Sequence, residues 1–90
     1  MKALQKKPTR FSLLASYAHS VALAGNFNEW NIASHPLTKD ERGIWRIEIY
    51  LATGKYEYKF MVDQEWKIDP ECVLFVATPE GTVNCVKVVE

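Results

Sequence analysis

The sequence predicts an all-β domain, an antiparallel sandwich of about seven or eight short strands, on three observations. Apolar residues recur at every second position rather than with the helical period, Gly, Pro, Asn and Asp interrupt the pattern at short intervals, and no amphipathic helix can be drawn. At 90 residues, 48% hydrophobic and 24% charged, the chain makes one core and leaves no room for a second.

Taken in order, the chain opens with Lys2, Lys6, Lys7 and Arg10 in a decade without an acid. That pattern predicts a basic, flexible tail over residues 1–10 and a single folded module over residues 11–90. Phe11 to Ala15 and Ser20 to Ala24 are short strand candidates, separated by a polar loop that holds His19. From Ile44 to Leu51 the alternation is clear, with Trp45, Ile47, Ile49 and Leu51 on one face and Arg46 and Glu48 on the other. In the next run Tyr56, Tyr58, Phe60 and Val62 alternate with Glu57, Lys59, Met61 and Asp63. Only Ala52-Thr53-Gly54 separates the two runs, so they are expected to form a hairpin. Trp66 to Ile68, Val73 to Val76 and Thr82 to Val89 supply the remaining strands.

Charge removes several function classes. Lys plus Arg and Asp plus Glu are 11 each, so the molecule has no net field to draw in nucleic acid or an acidic membrane. Beyond the basic start the body is mildly acidic. Apolar runs are too short to span a bilayer, and Ser12, Ser16, His19 and Ser20 break the stretch that would have to serve as an export signal. A cytoplasmic protein with no nucleic-acid or membrane partner is therefore expected. Cys72 and Cys85 then read as reduced small hydrophobes rather than a disulfide, and no Cys or His spacing suits zinc. No metal or cofactor is expected. The acid pairs Asp40 with Glu41, Asp63 with Glu65 and Asp69 with Glu71 all fall in turns, which explains them without glycosidase chemistry, and no nucleophile triad can be assembled. No catalysis is expected either.

Among the aromatics, Trp45, Tyr56, Tyr58, Phe60, Phe11 and Phe27 sit at inward positions and belong to the core. Trp30 and Trp66 differ, because each lies in or beside a turn amid polar neighbours. Such rings either fold back over a sheet edge or form a platform for the apolar C–H face of a sugar. Asn26, Asn28, Asn31, Lys59 and Asn84 lie in or near the same segments and could bond sugar hydroxyls. Lys59 could equally pair with Glu57 or a cross-strand acid.

Motif order points further. Val21-Ala22-Leu23-Ala24-Gly25-Asn26-Phe27-Asn28-Glu29-Trp30, then Pro36-Leu37, then Gly54 through Trp66 with Asp69-Pro70, and finally Gly81-Thr82-Val83-Asn84 closely resemble the family 48 carbohydrate-binding module. That family includes the glycogen-binding domain of AMP-activated protein kinase beta subunits and the isoamylase N-terminal, or early-set, domain. The resemblance covers residues 11–90. It implies an immunoglobulin-like β-sandwich that binds α-1,4-linked glucans such as glycogen, starch or maltodextrins without catalysis. It also implies site roles for Trp30, Trp66, Lys59 and Asn84, with Thr82 beside them. Early-set domains also serve as packing or scaffold modules of glycan-processing enzymes and kinases, which gives a second expectation of a protein partner.

This sequence departs from the family pattern twice. Glu80 stands where the kinase branch has a leucine, in a loop one residue longer, and Gln64 stands where a glycine is usual. If the latter position requires a positive φ, Gln64 costs stability there.

Overall fold

A computed structural model of the chain describes residues 5–90. Eight strands follow one another: β1 Lys6–Leu14, β2 Val21–Gly25, β3 Thr38–Lys39, β4 Ile44–Ala52, β5 Gly54–Val62, β6 Glu65–Lys67, β7 Phe75–Ala77 and β8 Val83–Val89. They form two antiparallel sheets, one ordered β1-β4-β3 and one ordered β2-β5-β8-β7 with β6 also on β5. Among the described residues no helix is long and apolar enough to cross a membrane.

The inward positions are those that the alternation predicts. Phe11, Leu13, Trp45 and Leu51 from the first sheet meet Leu23, Tyr58, Phe60, Val62 and Cys85 from the second, all buried. Phe60, Leu23, Val62 and Cys85 are completely enclosed. Aromatic edges lock the layers, with the Phe11 and Tyr58 rings 4.9 Å apart at 72° and Phe27 packed edge-on to Tyr56 at 6.1 Å.

Three expectations need correction. The first strand starts at Lys6, so residues 6–10 of the expected tail are paired with β4, Lys6 opposite Ala52 and Arg10 opposite Glu48. Thr9, buried between them, and an Arg10–Glu48 ion pair at 3.0 Å give that basic segment a structured role. Residues 1–4 of the same expected tail lie outside the described residues. Second, β4 and β5 are not a hairpin. Both edges of β5 are taken in the second sheet, by β2 on one side and by β8 and β6 on the other, and the chain crosses to it through Thr53 alone, where the Tyr56 hydroxyl donates to Ala52 O at 2.7 Å. A period of two marks the buried face of each strand but not which sheet it joins, and a hairpin and a crossover therefore look alike in sequence. Third, β3 is unexpected, because two residues are too short to show a period.

The turn after β5 carries strain. Asp63 and Gln64 have φ of 46° and 72°, the two left-handed positions of a type I′ hairpin turn joining Val62 to Glu65. Asp tolerates that region, whereas Gln lacks the local hydrogen bond that makes it cheap. Gln64→Gly is expected to stabilise the domain by about 1 kcal/mol, a rise of roughly 4–8 °C in melting temperature. An unchanged or lower melting temperature in calorimetry would contradict this account of the turn.

Asp63 stabilises the same corner electrostatically. Its Oδ1 accepts from the backbone N–H of His19 and of Ser20, both at 2.9 Å, and these bonds hold its carboxyl below the usual carboxylate range. Asp40 is lowered similarly by the N–H groups of Ile44 and Arg42 and by Arg46. A depressed folded pKa contributes stability above the unfolded value of about 3.9 and loses it as pH falls through the folded value. Stability should therefore decline below about pH 4, and Asp63→Asn, whose amide oxygen still accepts, should flatten that decline in urea titrations at pH 2.5 to 6. Equal acid sensitivity in variant and parent would exclude Asp63 as a source.

Candidate functional site

The site grows from an irregularity in the second sheet. On one side β5 pairs with β8 as far as Tyr58–Cys85, and with β6 from Phe60–Lys67 onward. Lys59 falls between the two partners. Buried neighbours on either side fix its outward direction, and Ala24 of β2 pairs with it on the other edge. Trp66, opposite Met61, shares this outer face, as does Asn84 one residue beyond the Tyr58–Cys85 pair.

Trp30 arrives from the loop after β2. Gly25 turns the chain there because a Cβ would lie 2.3 Å from Glu57 O and 2.5 Å from the Phe27 ring. Asn28 then braces the loop: its Oδ1 accepts from Gly25 N at 3.1 Å, and its Nδ2 donates to Leu23 O at 3.1 Å and meets His35 Nδ1 at 2.8 Å. Glu29 and Trp30 have φ of 56° and 59°, an expensive conformation for a bulky side chain, and Trp30 N donates to Gly25 O at 2.9 Å. The loop thus holds strain at the residue it presents, as functional loops often do. The outcome is a pair of indoles 6.2 Å apart and inclined at 79°. Trp30 is half-buried and Trp66 is 46% exposed.

All five expected site residues, Trp30, Lys59, Trp66, Thr82 and Asn84, line one open cleft of about 540 Å³. Thr78 shapes its far wall, with Thr78 and Thr82 hydroxyls 2.7 Å apart and Thr78 N donating to Thr82 O at 2.9 Å. Glu80 is on the rim. Three asparagines that could bond sugar hydroxyls lie outside the cleft lining and hold backbone through their side-chain oxygens. Asn28 braces its loop, Asn26 Oδ1 accepts from Glu57 N at 3.2 Å, and Asn31 Oδ1 accepts from Ala33 N at 2.9 Å. Asn residues beside positive-φ turns serve the backbone first. Among the described residues Lys59 forms no salt bridge, so the alternative of a paired lysine does not hold. Glu57, missed in sequence, also lines the cleft and accepts from Asn84 Nδ2 at 3.0 Å. Its period with Lys59 was the available signal.

The described residues contain no group of three or more His, Cys, Asp or Glu placed to hold a metal ion. The thiols are free; burial pushes Cys85 up to about 12, the behaviour of a structural rather than a reactive cysteine. Asp69 is also structural. It is buried, accepts from the Tyr58 hydroxyl at 2.7 Å and from Glu71 N at 2.9 Å, and with desolvation raises the Tyr58 pKa.

Residues 4–90 match the family described as the glycogen recognition site of AMP-activated protein kinase. The chain belongs to that family. Glycogen-recognition domains of this kind are carbohydrate-binding modules, and the β-sandwich described above agrees with that membership. The relatives include Protein PTST homolog 2, chloroplastic, of Arabidopsis thaliana, 36% identical over 69 residues covering 77% of this chain and 13% of the relative. The 5'-AMP-activated protein kinase subunit beta-1 of Rattus norvegicus is 36% identical over 80 residues, 89% of this chain and 28% of that protein. The 1,4-alpha-glucan branching enzyme GlgB of Aquifex aeolicus is 34% identical over 87 residues, 90% of this chain and 14% of the enzyme. The chain thus spans less than a third of the length of each of the three.

Proposed function

We propose that this module binds α-1,4-linked glucans, such as glycogen, starch or maltodextrins, in the cleft between Trp30 and Trp66, and performs no catalysis. The observation that carries the reading is the near-perpendicular indole pair opening onto the one lysine freed by the change of strand partner. Glucose rings offer an apolar C–H face to an indole, and two inclined indoles suit a curved polymer better than a flat one. Lys59 Nζ donates to hydroxyls, the Oδ1 of Asn84 accepts because its Nδ2 is held by Glu57, and Thr82 does either. Glu80 gives the rim a carboxylate in place of an apolar contact, which lessens the grip on the polymer's inner surface.

The two carboxylates that line the cleft are a Glu57 held by Asn84 Nδ2 at 3.0 Å and a solvent-exposed Glu80, and the acid pairs of the turns lie elsewhere. Asp40, Asp63 and Asp69 each accept hydrogen bonds that hold turns and strands together, and none lines the cleft. A single stacked ring contributes about 1–3 kcal/mol by analogy with bases on aromatics, so two open rings predict micromolar to millimolar binding. Partners of the class that we propose, a kinase or a glucan-processing enzyme, accord with the names of the relatives. The test is electrophoresis through gels cast with glycogen or amylopectin, where retardation that persists in salt is expected. Migration as in a plain gel would refute the reading.

A further inference from the structure

A second, smaller depression of about 300 Å³ adjoins the cleft and shares Glu57 and Val76 with it. Strand register explains the continuity. Glu57 pairs with Val86, Lys55 with Val88 and Val76 with Asn84, so one outer face runs unbroken from Lys59 and Asn84 down to Lys55 and Val88. Leu74 extends it past the end of β7, its carbonyl accepting from Val86 N at 2.8 Å. Four residues of extended strand from Lys59 to Lys55 add roughly 13 Å of path.

The chemistry of this shelf is mixed in the way the cleft is. Leu74 and Val88 are each 44% exposed, and the half-buried Val76 and Val86 lie between them. Among the described residues Lys55 and Glu57 form no salt bridge, which leaves an ammonium and one carboxylate oxygen for a ligand's hydroxyls. One cation and one anion cancel, and an uncharged polyol is the complement to such a strip.

We infer that the shelf of Lys55, Glu57, Leu74, Val76 and Val86 is a second glucan subsite that takes further residues of the polymer held between Trp30 and Trp66. The inference rests on the glucan reading of the cleft. It predicts a module that measures chain length, holding long maltodextrins more tightly than a fragment that fills the cleft alone.

Calorimetric titration of the 90-residue chain with maltotriose, maltoheptaose and a longer linear maltodextrin tests it, together with Leu74→Ser and Lys55→Ala. Affinity per chain should rise about tenfold from the shortest ligand to the longest, a gain of roughly 1.4 kcal/mol. Either variant should remove most of that rise and leave maltotriose binding as in the parent. Binding that is independent of length, or a loss equal for all three ligands, overturns the shelf and leaves the cleft intact. Absence of binding to every glucan overturns both. Self-association in sedimentation that Leu74→Ser abolishes would assign the shelf to a second copy of the chain and likewise overturn the inference.

Discussion

Trp66→Ala is expected to abolish retardation in glycogen gels while the domain stays folded. Trp66 stands in a three-residue strand at the sheet margin, 46% exposed, and its principal aromatic neighbour is Trp30. Removing it forfeits an edge-to-face contact of about 0.5–1.5 kcal/mol, which should lower the melting temperature by no more than about 12 °C. Binding suffers more, because a stack contributing about 1–3 kcal/mol is a factor of roughly 5 to 150 in affinity. From a micromolar-to-millimolar starting point, such a factor takes the complex below what a gel registers. Trp66→Phe should retain part of the retardation and so show that the ring face matters. Undiminished retardation of a folded Trp66→Ala protein would remove the indole pair from the site, and an unfolded variant would make Trp66 a structural residue.

What could be read from the sequence followed from periodicity and motif. The inward set from Trp45 to Val62 is legible because each β-residue reverses the side chain, and burial selects one parity. Trp30, Lys59, Trp66, Thr82 and Asn84, named from the family resemblance, line one cleft. Pairing partners were not legible. Whether β4 turns back on β5 or crosses to the other sheet depends on β2 and β8 having taken the two edges of β5, long-range events absent from the local pattern around Thr53. The backbone roles of Asn26, Asn28 and Asn31 were hidden for a related reason. A polar side chain in a turn looks available until the backbone around it is known, and Asn28, Asn31 and Asn26 accept from the N–H groups of Gly25, Ala33 and Glu57. Gln64 was the one position where a backbone conformation was anticipated from a residue departure, since an Asp-Gly turn has a strong signature.

Trp45→Ala should give the opposite result to Trp66→Ala. Trp45 is 7% exposed, pairs with Leu13 in β1 and Lys39 in β3, and so joins all three strands of the first sheet. Its Nε1 donates to Ala15 O at 3.0 Å, which closes the loop that leads to β2, and Lys39 Nζ lies 5.5 Å from its ring. Truncating a buried aromatic costs about 3–5 kcal/mol, and domains of this length hold about 5–13 kcal/mol in total. The variant should therefore lose roughly half its stability or unfold outright, with a correspondingly lower urea midpoint. Trp45→Phe separates the two contributions: it retains most of the ring and removes the Nε1 bond to Ala15 O, which keeps its bond from Ala18 N, at about 0.5–1.5 kcal/mol. Where Trp45→Phe still folds, glucan retardation should equal the parent's, because the ring lies on the inner face of the sheet that does not contribute to the cleft. A Trp45→Ala protein that melts like the parent would mean that something other than the inner face of β4 holds the two sheets together.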